Sequence, residues 1–104
     1  MMNIETSIQA NTVVLKIMGE IDTKTGSALS TKFKEILENE LILHVILNLS
    51  EVPNITSAGI GKILKLFKSL NLRGGTIEIK GISQKLINLF KEIHLDRIIP
   101  IEAK

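Results

Sequence analysis

Apolar and polar residues alternate strictly along three stretches of the chain. In residues 12–18, Val13, Leu15 and Ile17 share one side, while Val14, Lys16 and Met18 share the other. Residues 44–49 set Val45, Leu47 and Leu49 opposite His44, Ile46 and Asn48, and residues 76–80 set Ile77 and Ile79 opposite Thr76, Glu78 and Lys80. Each reads as a strand with one apolar face. A further strand over 4–9 joins the first of these through a turn at Ala10-Asn11. Between the strands the apolar period lengthens to that of a helix. Leu29, Phe33, Ile36 and Leu37 form a stripe within 24–38. Ile60, Ile63, Leu64, Phe67 and Leu70 form another within 57–70, which leaves Lys62, Lys65 and Lys68 outside. Arg73-Gly74-Gly75 stops that helix and turns the chain. Ser83 is placed to cap a third helix over 84–93, with Leu86, Leu89, Phe90 and Ile93 apolar. A short last strand is predicted at 97–101.

Strands that alternate with helices after an opening hairpin imply right-handed crossovers and parallel pairing. Helices on both faces would demand strands apolar on both sides. Here Lys16, Asn48, Glu78 and Lys80 occupy the second side. The expected fold is therefore α/β and two-layered: a mixed, mostly parallel sheet of four to five strands, with helices mainly on one face. The first strand is expected antiparallel at an edge. The chain contains no internal repeat, low-complexity run or linker, so one domain over 1–104 is expected.

Composition narrows the function. The 104 residues include 18 Ile and 14 Leu, ample for one core, and aromatics are only 3%. There is no Cys, hence no disulfide framework, thiolate nucleophile or zinc knuckle. Net charge is +2, and eleven of the thirteen cations are Lys scattered among acids. Two Arg and three Phe are a poor kit for phosphate clamps or base stacking, so no direct nucleic-acid partner is expected. The opening Met-Met-Asn-Ile-Glu lacks the basic region and apolar run of a signal peptide, and no stretch is apolar enough to span a bilayer. A cytoplasmic protein without a membrane partner is expected.

Parts for catalysis are thin. His44 and His94 lie far apart, and neither has metal-ligand spacing to an acid. Asp22 and Asp96 are the only aspartates. The Gly59 and Gly61 spacing in Ser57-Ala58-Gly59-Ile60-Gly61-Lys62 lacks the full phosphate-loop pattern. No catalytic residue, metal or cofactor is assigned. One segment stands out. Pro53-Asn54-Ile55-Thr56-Ser57 runs straight into a helix that begins with small residues at 57–59 and 61, which suit close approach to the sheet. Thr56 or Ser57 is the natural N-cap. A hydroxyl there, at the carboxyl end of a parallel strand, is also well placed for phosphorylation, because a phosphoryl group would face free N–H groups and the positive end of the helix dipole, although the residues by themselves favour the cap.

The stretch NLSEVPNITSAGIGKIL (48–64) resembles the motif of STAS domains, the sulfate-transporter and anti-sigma-factor-antagonist family. The family's usual form is a buried strand ending in Asp-Leu-Ser, a loop, and a Ser-containing helix start with two glycines. MGEID (18–22) is similar to the family's Gly-Glu-Leu-Asp segment, and ISQKLINLFKEIHLDRIIPI (82–101) to its last helix, turn and terminal strand. The likeness covers nearly the whole chain, in order. With nothing beyond the domain, the chain resembles the stand-alone bacterial antagonists.

The resemblance implies a non-enzymatic regulator of transcription by partner switching. Such antagonists bind an anti-sigma factor with a histidine-kinase-like ATPase fold, which frees a sigma factor. That partner is also a serine kinase that phosphorylates the antagonist, and a metal-dependent serine phosphatase reverses the mark. Carried onto this chain, Ser57 matches the phosphoacceptor, Asp22 the acid of the Gly-Glu-Leu-Asp segment, and Gly59 and Gly61 the glycines of the helix start. Thr56, standing where Asp is common, becomes a possible second acceptor, and Asn48 replaces the Asp of Asp-Leu-Ser. The expected partner-binding residues are Asp22, Asn54, Ile55, Thr56, Ser57, Gly59 and Lys62. Ile55 is either an exposed anchor or a staple tucked under the helix. A STAS scaffold or accessory subunit without a phospho-switch, and a small-ligand or nucleotide-binding domain, are the alternatives.

Overall fold

The computed structural model describes residues 2–104; Met1, the first residue of the expected domain, lies outside the described residues. Strands β1 (Asn3–Gln9) and β2 (Thr12–Met18) form the opening hairpin. Helix α1 (Gly26–Glu38), β3 (His44–Glu51), α2 (Ser57–Leu72), β4 (Thr76–Ile82), α3 (Gln84–Glu92) and β5 (Ile101–Ala103) follow in turn. The sheet has five strands in the order β1-β2-β3-β4-β5; β1 pairs antiparallel with β2, and every later pairing is parallel. When each parallel strand is laid beside the last by a crossover of one hand, every helix lands on the same face. The single helical layer follows from that order.

The alternation of the strands decides which face is covered. Val13, Leu15, Ile17, Val45, Leu47, Leu49, Ile77 and Ile79 are all buried, against Leu29 and Phe33 of α1, Ile63 and Leu66 of α2, and Leu86 and Phe90 of α3. The other face is half-wet. One cross-strand row reads Glu5, Lys16, Asn48, Lys80, Glu102, so neighbours alternate in charge or are neutral. Lys16 reaches Glu51 at 3.1 Å. Exposed pairs of this kind add little stability, but they keep the face solvated.

The structure corrects four details of the pattern. The buried line of α2 runs through Gly59, Ile63, Leu66 and Leu70, so Leu64 and Phe67 sit at its margin, half-buried. Lys62 consequently turns toward α1 instead of outward: its Nζ donates to Ser30 Oγ at 2.8 Å, and its stem passes over Gly26, where a Cβ would fall 2.7 Å from Lys62 Cε. In α3, Ile87 is buried while Ile93 is 46% exposed at the C-cap. The last strand starts at Ile101, not 97, because Pro100 has no N–H for the ladder and a 3₁₀ turn at Leu95–Arg97 precedes it.

Arg73 does more than end α2. Its guanidinium donates to the carbonyls of Leu37 (2.7 Å) and Asn39 (3.2 Å), where α1 ends, and of Ile42 (3.2 Å) in the loop that leads to β3.

Candidate functional site

Two loops at the carboxyl ends of β2 and β3 meet in a short parallel bridge between Ile21 and Ile55. The Ile21 N–H donates to the Asn54 carbonyl (3.1 Å), and the Thr56 N–H donates to the Ile21 carbonyl (2.9 Å). This bridge positions the start of α2. It brings Asp22, Asn54, Ile55, Thr56, Ser57 and Gly59 into one small region.

Within that region the roles separate. Thr56 is the N-cap: its backbone is extended (φ −86°, ψ 166°) and its hydroxyl accepts from the Gly59 N–H at 3.3 Å. Ser57, the first helical residue, is exposed and makes no side-chain hydrogen bond among the described residues. The choice of cap left open by the sequence thus falls on Thr56. An Asp at that position would accept the same bond, so Thr keeps the capping function without the charge.

Ile55 is 8% exposed and packs with the core. It is the staple, not an exposed anchor. Gly59 is buried as well: a Cβ there would fall 2.5 Å from Ile21 Cγ2 and 2.9 Å from Ile55 Cγ1. The helix can sit against the bridge only because that position carries no side chain. Gly61 plays no such part, since a Cβ there meets nothing within 4 Å. Small size at 59 brings the helix close; at 61 it does not.

Asp22 spends its carboxylate locally. Its Oδ1 accepts from the N–H groups of Lys24 (2.9 Å) and Thr25 (3.0 Å) and from the Thr25 hydroxyl (3.1 Å). The Thr25 backbone bond above all, helped by its hydroxyl and by Lys24, holds the Asp22 carboxyl below its ordinary value against the opposing effect of desolvation. Asp22 therefore shapes the entry to α1 beside the bridge. Asn48 is similarly local: its Oδ1 accepts from the Ser50 N–H at 3.0 Å, so the amide replaces a carboxylate as acceptor.

Sequence reasoning missed Lys85. Its ammonium hydrogen-bonds Asn54 Oδ1, whose amide nitrogen donates to Glu20 Oε1 at 3.2 Å, tying α3 to both loops of the site. The available signal was a cation in the first turn of a helix, where the dipole disfavours it. Away from the bridge, a groove of about 580 Å³ runs between α1 and α2, lined by Phe33, Leu37, Leu66, Lys34, Lys65 and Gly61 among others. Among the described residues no cluster of three or more His, Cys, Asp or Glu could hold a metal ion. Among the same residues no helix is long and apolar enough to cross a membrane.

The mixed five-stranded sheet with its three helices matches solved structures of anti-sigma factor antagonists. The STAS-domain family model matches residues 3–104, and the chain belongs to that family. It is 30% identical to the anti-sigma-B factor antagonist of Bacillus subtilis over 102 residues, covering 98% of this chain and 92% of that protein. Its fold matches the crystal structure of an anti-sigma factor antagonist from Mycobacterium paratuberculosis with a TM-score of 0.88 at 17% identity, covering 100% of this chain and 87% of that one. It also matches the Bacillus cell fate determinant SpoIIAA in its phosphorylated form, with a TM-score of 0.78 at 18% identity and 98% and 92% coverage.

Proposed function

We propose that this protein is an anti-sigma-factor antagonist that binds its anti-sigma factor through the start of α2 and is switched off by phosphorylation of Ser57. One observation carries the reading: two hydroxyls stand side by side at the helix start, and capping employs only Thr56. Ser57 is exposed and has no capping task. The names of the relatives and the phosphorylated form of a structural neighbour support it. Ser57 is the phosphoacceptor; Thr56 is the weaker candidate, since modifying it would remove a cap. The contact surface comprises Ser57, Thr56 and Asn54, flanked by Asp22 and Lys62, with Ile55 and Gly59 shaping the backbone beneath. The partner is an anti-sigma factor that is also a serine kinase, and a metal-dependent phosphatase resets the switch. The protein acts in the cytoplasm and catalyses nothing itself.

The physics of the switch is asymmetric. A phosphoryl group adds about −1.5 to −2 charges. On the free protein, the N–H groups of the first turn and the dipole accept it, worth roughly 0.3–1 kcal/mol, and no acidic residue lies in that turn. In an interface the same charge must be desolvated or must meet partner acids, and every 1.4 kcal/mol lost is tenfold in affinity.

The test uses the cognate anti-sigma factor and ATP. Mass spectrometry should place phosphate on Ser57, Ser57→Ala should bind yet resist modification, and Ser57→Asp should fold but bind far more weakly. Phosphate on neither Ser57 nor Thr56, together with full affinity for Ser57→Asp, would favour a STAS scaffold without a switch.

A further inference from the structure

The two edges of the sheet are built differently. β5 has three residues, follows Pro100, and joins β4 with a break in register between Lys80 and Ile82. Those are the features by which proteins blunt an edge. β1 has none of them. It runs for seven residues and pairs with β2 without a register break from Asn3↔Met18 to Gln9↔Thr12. It contains no Pro and no Lys, and its one charge is Glu5. Alternate N–H and C=O groups along its outer side therefore face away from β2 with no strand beside them. Ile8, at 58% exposure, stands on the helix-side face at this edge, the same face as half-buried Ile4, with Thr6 between them.

The strand is also complementary to itself. Continuing the sheet across a two-fold axis requires residues of like parity to stand opposite one another. The register centred on Thr6 pairs Ile4 with Ile8 of the second copy on the helix side, and Glu5 with Ser7 and Asn3 with Gln9 on the wet side. It overlaps all seven residues. Centring on Glu5 would set two carboxylates face to face, and centring on Ile4 or Ser7 would shorten the overlap. From this edge and this pattern, we propose that two copies of the chain associate through β1, antiparallel about Thr6, to form one continuous ten-stranded sheet. One strand edge is a small interface, so the dimer forms in a concentration-dependent way. None of Asp22, Thr56 and Ser57 lies on β1, and the association stands apart from the proposed switch.

The chain has no cysteine, which allows a clean test by mild oxidation of single-Cys variants. Directly opposed Cα atoms in an antiparallel pair lie about 4.5 or 5.5 Å apart, within disulfide reach. Thr6→Cys should cross-link to a covalent dimer, whereas Ile8→Cys, offset from its own copy, should stay mostly monomeric. In sedimentation equilibrium, Ser7→Lys should tighten the dimer by pairing with Glu5 of the second copy, and Ser7→Glu should weaken it, together spanning about tenfold or more in dissociation constant. A protein that remains monomeric over the whole concentration range overturns the proposal. So does equal cross-linking by both Cys variants, or a dimer that responds alike to Ser7→Lys and Ser7→Glu. Circular dichroism of each variant verifies that the hairpin is intact.

Discussion

Helices α2 and α3 begin alike and then diverge. Thr56 and Ser83 are both hydroxyl caps in extended backbone, and each accepts from the N–H three residues on, Gly59 at 3.3 Å and Leu86 at 3.4 Å. At the next position α3 has Gln84, tied along the helix to Asn88 at 2.8 Å, while α2 has the unengaged Ser57. Three residues past the cap, α3 buries Leu86 in the core, whereas α2 has a glycine pressed against Ile21 and Ile55. One start is explained by stability alone. At the other, a hydroxyl is left over after capping and the helix is drawn tight against a second loop, so its residues need a further reason.

The widest gap should appear at the third helical position. Gly59→Ala inserts a methyl group into a filled space and should cost about 1–3 kcal/mol by overpacking. Gly61→Ala, facing open space in the same helix, should instead stabilise by about 0.5–1 kcal/mol through helix propensity. Urea denaturation of both variants measures the difference. Equal effects would remove the close approach at 59 from the account.

The caps come next. Thr56→Ala and Ser83→Ala should each lose about 0.5–2 kcal/mol. Ser57→Ala should stay within about 0.5 kcal/mol of the parent, as at an ordinary surface site. If Ser57→Ala cost as much as Thr56→Ala, Ser57 would be structural and the contrast with α3 would collapse.

The alternating strands were legible because each has one apolar side and period two survives any tertiary context. So was the single helical layer, from Lys16, Asn48, Glu78 and Lys80. The phase of α2 was not. Its apolar residues cover more than half the circumference, and the residue that centres the buried line is Gly59, which hydropathy counts as nothing. Placing Gly59 inward turns Leu66 in, moves Leu64 and Phe67 to the margin, and swings Lys62 onto Ser30. Arg73 was opaque for another reason: its partners are backbone carbonyls more than thirty residues upstream, which leave no trace in residue type. At the site, the neighbourhood of Asp22 and Ser57 came from the family motif. The division of labour between Thr56 and Ser57 needed the cap geometry.

A negative charge at the first helical position should separate the two starts by function. Ser57→Asp and Gln84→Asp should both leave the fold intact and raise stability by roughly 0.3–1 kcal/mol at low salt, because each carboxylate meets the positive end of a helix dipole. Only Ser57→Asp should reduce affinity for the anti-sigma factor. Melting curves at low and high salt, alongside binding titrations, distinguish the two. Loss of binding by Gln84→Asp as well would extend the contact surface to α3, where Lys85 already bonds Asn54.

The smallest effect belongs to the third helix start, where Asp22 serves α1. Its carboxylate accepts from Thr25 and Lys24, and those bonds hold its folded-state value below the ordinary one. The unfolded chain therefore binds this proton at higher pH than the folded one does. The resulting stabilisation is fully present above the ordinary carboxylate range, and it is lost as pH falls through the depressed folded value. Asp22→Asn keeps the acceptor oxygen but cannot titrate. It should be slightly less stable than the parent at neutral pH, and the two should converge on acidification as the parent loses its advantage. Denaturation midpoints measured for both proteins from pH 7 down to about pH 3 give the comparison. A constant gap across that range would mean that the charge of Asp22 contributes nothing and that its oxygen alone shapes the entry to α1.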